Sequence, residues 1–170
     1  MKELVKIKGL WRFEFLDKKG RLIYPVSIIK NTIVTVGKNE LLNDGLDGST
    51  GYMGLISSVD WSEILVGDTM GSHAGWKEAG DTNAPTYSGT RKTCVWAAAG
   101  SGAKALSSAL NFTFTGSGTV KGGFIVFGSG AAAAIDDTSG VLLNAALLDE
   151  GDRAVVSTDQ LNVSCTITLT

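Results

Sequence analysis

The clearest pattern in the chain is the alternation near its C-terminal end, where Leu161, Val163, Cys165, Ile167 and Leu169 interleave with Asn162, Ser164, Thr166, Thr168 and Thr170. A period of two puts successive side chains on opposite faces, so this stretch predicts a long strand with one face buried. Leu110, Phe112 and Phe114 alternate in the same way with Asn111, Thr113 and Thr115. Gly116-Ser117-Gly118 then supplies a turn and an apolar run returns over residues 120–127, so the two stretches read as a β-hairpin. Within the return, Phe124-Ile125-Val126-Phe127 is apolar at every position, which predicts a central strand covered on both faces, by another sheet or by a neighbouring subunit.

Near the N-terminus Trp11, Phe13 and Phe15 alternate with Arg12 and Glu14, Asp17-Lys18-Lys19-Gly20 turns, and residues 22–29 return as a second hairpin. Pro25 has no N–H to give to a ladder, so the returning strand is expected at an edge or with a bulge there. Lys38-Asn39-Glu40-Leu41-Leu42 is the best short helix, ended by Asn43-Asp44-Gly45. Further strands are predicted over residues 52–58, 74–78, 93–99, 141–148 and 153–156, separated by Gly, Asp, Ser and Thr clusters. The whole reads as all-β: an antiparallel, jelly-roll-like β-sandwich over residues 37–170, with one short helix and an N-terminal hairpin arm over residues 1–36.

Composition narrows the function classes. At 170 residues, 44% hydrophobic and 19% charged, the chain can bury one ordinary core. Fifteen basic against seventeen acidic side chains leave a net charge of -2, which gives no broad positive field for nucleic acid. The first eight residues interrupt their apolar positions with charges, and no apolar run approaches the roughly 20 residues of a spanning helix, so neither export nor a membrane is expected. In a chain kept in the cytoplasm, Cys94 and Cys165 read as two small buried thiols rather than a disulfide.

The chemical motifs fall short of their templates. Gly100-Ser101-Gly102-Ala103-Lys104-Ala105 resembles a dinucleotide loop, but the alternating Phe112, Phe114 strand follows almost at once, leaving no room for the helix that loop requires. Asp68, Ser72 and His73 lie close in sequence without a nucleophile-elbow context, so His73 reads as a loop histidine. One His and two distant Cys cannot complete a tetrahedral zinc site, and Asp136, Asp137, Asp149, Glu150 and Asp152 lack EF-hand spacing. Trp11, Trp61, Trp76 and Trp96 could form a sugar platform, or they could simply pack in a core or an interface. No catalytic, cofactor-binding or metal-binding residue is therefore assigned.

Several segments do carry a resemblance. They are Tyr52-Met53-Gly54-Leu55-Ile56, Gly67-Asp68-Thr69-Met70-Gly71-Ser72-His73-Ala74-Gly75-Trp76-Lys77-Glu78, Phe112-Thr113-Phe114 with Gly118-Thr119-Val120-Lys121-Gly122-Gly123-Phe124, and Gly151-Asp152-Arg153-Ala154-Val155-Val156 with Leu161-Asn162-Val163. Together they resemble a family of small tailed-bacteriophage virion proteins described as structural, decoration or tail-fibre-like. The resemblance covers most of the chain from Tyr52 onward, whereas the opening hairpin matches in layout only. It implies a β-sandwich subunit that coats or cements the outer surface of an icosahedral capsid, with the major capsid protein as partner and no catalytic residues to carry over. A homotrimer is the expected assembly, since it suits threefold junctions between capsomers. The anchors expected for such contacts are Trp11, Phe13, Phe15, Ile23 and Trp76, with packing inside the chain's own sandwich as the other reading of the aromatics. A tail or fibre module that recognises a host-surface glycan is the alternative function, and a hydrolase around His73 is a further rival.

Overall fold

The computed structural model describes residues 7–34, 45–46, 48–98 and 103–169. These hold eleven strands and no helix: β1 (Ile7–Leu16), β2 (Ser27–Ile33), β3 (Gly51–Ser57), β4 (Glu78–Ala79), β5 (Lys92–Cys94), β6 (Ala103–Ala105), β7 (Leu110–Thr113), β8 (Gly118–Phe127), β9 (Val141–Leu147), β10 (Arg153–Val155) and β11 (Gln160–Leu169). The short helix expected at Lys38 to Leu42 lies outside the described residues. Every strand pair is antiparallel, and the main path runs β4-β3-β8-β9-β2-β1-β11-β6, with β10 on β8, β5 on β3 and β7 on β11. The all-β antiparallel class is as the alternation predicts.

The pivot of the path is β2. Its residues Ser27 to Asn31 pair with β1, whereas only Thr32 and Ile33 pair with β9. The strands therefore form one hydrogen-bonded path whose two halves meet at β2. A terminal half is made of β1, β2, β6, β7 and β11, and a central half of β3, β4, β5, β8, β9 and β10. Their inner faces share one apolar cluster: Trp11, Phe13, Phe112, Leu161, Val163 and Cys165 from the first, with Met53, Leu55, Ile125, Phe127 and Leu143 from the second. The halves approach closely at Gly123, where an added Cβ would lie 2.9 Å from the Trp11 ring and 2.9 Å from the Met53 methyl. A methyl group there would push the two layers apart.

Three expectations need correction. The β7–β8 hairpin does not form: β7 pairs with β11, placing Phe112 opposite Leu161, while β8 pairs with β3, β9 and β10. The Gly116-Ser117-Gly118 turn thus passes the chain from one half to the other. β8 is covered on both faces, as expected, but on its outer side the cover is neither a sheet nor a subunit. Phe124 and Val126 pack with Met70, Trp76, Leu142 and Ala145, so the chain's own connection 58–77 closes that face. Finally, the described part of the expected 1–36 arm, residues 7–34, is built into the sheet rather than set apart from it. β1 pairs with β11 along its whole length, from Ile7 to Leu16, and β2 joins the two halves. Pro25 precedes β2 and so costs the ladder nothing.

Candidate functional site

Placement in mid-sheet decides the fate of the expected anchors. Because β1 lies between β2 and β11, its inward residues Trp11, Phe13 and Phe15 are at most 1% exposed, and Trp76 is fully buried in the outer cluster. They hold the chain together and are unavailable to a partner, which corrects their assignment as interface anchors. Of the five, only Ile23 reaches the surface, at 39% exposure.

Ile23 belongs to a stiff tip. Asp17 organises the turn between β1 and β2: its Oδ1 accepts the N–H groups of Lys19 (2.8 Å) and Arg21 (3.0 Å), and its Oδ2 accepts Arg21 Nε (2.9 Å) and Nη2 (2.7 Å). Gly20 sits at φ 75°, a left-handed value that favours glycine. The Arg21 backbone N–H, followed by its guanidinium, holds the Asp17 carboxyl down from 3.8 to about 2. Tyr24 anchors the return, with its ring edge-on to Phe15 at 5.7 Å, its hydroxyl donating to Ala154 O at 2.9 Å and the Arg153 guanidinium 5.1 Å from its centroid. Around this frame Leu22, Ile23 and Val156 are exposed beside Lys18 and Lys19. Asp17, Lys18, Lys19, Arg21 and residues 156–159 line a notch of about 360 Å³.

A second feature is the outer face of the terminal half. Leu10 on β1 and Ile28 on β2 are 49% and 54% exposed there. Arg12 and Glu14 form an ion pair along β1. On β7 and β11, Thr113 Oγ1 donates to Asn111 Oδ1 (3.1 Å) and Asn111 Nδ2 donates to Asn162 Oδ1 (2.8 Å), an amide and hydroxyl row across two strands.

The chemical candidates take structural positions. His73 stacks on Trp76 at 3.9 Å and its Nδ1 lies 3.1 Å from Trp76 O, while Asp68 Oδ2 accepts Trp76 Nε1 at 3.0 Å and Leu65 N–H at 3.0 Å. His73 and Asp68 thus both serve Trp76, and the geometry is a pinned loop rather than a catalytic relay. Among the described residues no three His, Cys, Asp or Glu side chains converge as metal ligands. Asp152 pairs with Lys121 at 2.9 Å, and Asp137 Oδ1 accepts Ser139 N–H at 2.8 Å. Of the tryptophans, Trp61 lines a groove of about 560 Å³ with Lys30, Thr32 and Glu63, but Lys121 Nζ stands 4.8 Å above its ring. Cys94 and Cys165 are free and buried, and burial pushes the Cys94 thiol up to about 12 and Cys165 higher still. Both are therefore inert as thiolates.

Sequence reasoning missed the most heavily bonded polar pair. Arg91 donates to Glu78 Oε1 (2.9 Å) and Oε2 (2.6 Å), to Ala132 O (3.0 Å) and to Asp137 O (2.7 Å), and Glu78 Oε2 also accepts Asp136 N–H (2.9 Å). Burial raises the Glu78 pKa, and the bonds from Arg91 oppose that shift. The two side chains, at 2% and 0% exposure, lock the 128–140 connection onto β4 without offering a surface. No local spacing announces such a pair, since β4 and the 91 position come together only in the fold. No protein-family model and no curated protein sequence matches this chain.

Proposed function

We propose that the chain is a non-enzymatic structural protein of a tailed-bacteriophage virion, decorating or cementing the outer capsid, with the major capsid protein as partner and a homo-oligomer, a trimer, as its assembly. The observation that supports it is the hairpin tip: Leu22, Ile23 and Val156 exposed beside Lys18 and Lys19 on a turn already fixed by Asp17 and Arg21. A pre-ordered tip loses little entropy on docking, and apolar area covered there contributes about 25 cal/mol per Å² before association costs are subtracted. Stabilisation of neighbouring capsomers is then the mechanism.

The test is made on particles. Purified virions should carry the protein in many copies, and the variant Leu22→Ser/Ile23→Ser/Val156→Ser should fold normally and fail to saturate bare capsids. A handful of copies confined to the tail would favour the glycan-recognising attachment module, and absence from particles would end the virion reading altogether.

A further inference from the structure

The outer faces of the two halves differ, and the edges of the sheet constrain what that difference can mean. Connection 58–77 closes the outer face of the central half. Among the described residues nothing equivalent lies over β2, β1, β11 and β7. Association along an edge is poorly served: the peripheral strands β4, β5, β6, β7 and β10 have two, three, three, four and three residues, and β2 is open on the side away from β1 only over Ser27–Asn31, all too short to template a long ladder. A partner for this region therefore comes face-on.

The face is built to suit its own likeness. Leu10 is opposite Lys30 and Arg12 opposite Ile28, so the exposed Leu10 and Ile28 are diagonal neighbours at its centre, with a basic residue beside each. Glu14 adds the opposite charge two residues along β1 from Arg12. Both signs thus flank one apolar spot, and a copy turned against it can set Glu14 against Arg12 or Lys30. At about 3.4 Å per residue and 4.8 Å between strands, these four strands present roughly 500 Å² in projection, or about 1,000 Å² over two copies. That reaches the lower bound of roughly 1,000 Å² for specific association, which points to a concentration-dependent contact.

We infer that the outer face of β2, β1, β11 and β7 is a self-association surface occupied by another copy of this chain, with Leu10 and Ile28 at its centre. The inference rests on the homo-oligomer part of the reading above but not on its trimer, because a face that meets its own likeness pairs two copies about a twofold axis. It is independent of what the hairpin tip binds.

Sedimentation equilibrium of the isolated protein over a wide concentration range tests it. The native mass should rise with concentration above that of one chain. Leu10→Glu/Ile28→Glu should weaken association at least tenfold at an unchanged melting temperature. Leu65→Glu/Val66→Glu, which charges a comparably exposed apolar pair on the 58–77 connection, should associate like the native chain. A native chain that stays monomeric, or a Leu10/Ile28 variant that associates undiminished, overturns the inference. A chain that self-associates through this face yet never joins a particle would sink the capsid reading and leave this one standing.

Discussion

The central and terminal halves of the sheet are made of similar strands in different surroundings. β8 is buried on both faces and apolar at all four positions from Phe124 to Phe127, because the shared core lies on one side and connection 58–77 on the other. β11 is buried on one face only, and Leu161, Val163, Cys165 and Ile167 point in while Ser164 is exposed. The difference teaches that the polarity pattern of a strand reports how many of its faces are covered and is silent on what covers them. An apolar run demands a second layer, which here comes from the same chain.

The sharpest way to break that comparison is to place a charge on each face of each half. Phe124→Asp and Ile125→Asp, on opposite faces of β8, should both abolish soluble folding, because an unpaired buried carboxylate costs more than about 4–5 kcal/mol against a total stability of about 5–15 kcal/mol. On β11, Leu161→Asp should be as damaging, whereas Ser164→Asp should stay within about 0.5 kcal/mol of the native chain. Urea titration of whichever variants are soluble checks this. If Phe124→Asp folds normally, connection 58–77 does not seal the outer face.

The same contrast explains what was legible in the sequence. The alternations of β1 and β11 and the solid run of β8 fix both the all-β class and which residues point inward. The partner of β7 was not legible, because Gly116-Ser117-Gly118 signals a reversal without saying which strand the chain meets next. Leu161 secures that pairing from far along the chain by sharing the inner face with Phe112. The cover over β8 was hidden too, since Met70 and Trp76 sit in a stretch with no period. Trp11, Phe13 and Phe15 could be expected either as anchors for a neighbour or as packing inside the chain's own fold, and residue type alone cannot say which does the burying; here it is the chain itself. Ile23 is legible as a candidate in the sequence, whereas Leu22 and Val156 stand out beside it only once the turn has a shape.

An intermediate effect should come from Glu78, which ties the central half to connection 128–140. Glu78→Gln leaves Arg91 buried with its charge uncompensated, and removing one member of such a pair costs about 3–5 kcal/mol. The double variant Glu78→Gln/Arg91→Met should be less destabilised than Glu78→Gln alone, a non-additivity that a double-mutant cycle in urea would measure. Additive losses would mean that the two side chains act separately, despite distances of 2.6 and 2.9 Å. The described ion pairs of the terminal half are exposed: Asp17–Arg21 at the hairpin tip and Arg12–Glu14 on the open face, where Glu14→Gln should cost at most about 1 kcal/mol.

The smallest effect is expected at the hairpin tip, and it sharpens the comparison by its pH dependence. Bonds from the Arg21 backbone and guanidinium lower the Asp17 pKa from 3.8 to about 2, so in the acid range the unfolded chain takes up this proton before the folded one. Stability contributed by the turn is accordingly complete above about pH 4 and is lost as the pH falls through about 2. Asp17→Asn cannot accept from Arg21 as a carboxylate does, so its melting temperature should be slightly lower at pH 7 and should converge on the native value near pH 2. The measurement is a pair of melting curves at each pH between 7 and 2. Parallel pH profiles would show that Asp17 is not held in its charged form by the fold, and the tip would then lack the stiffness that makes Leu22 and Ile23 suitable for docking.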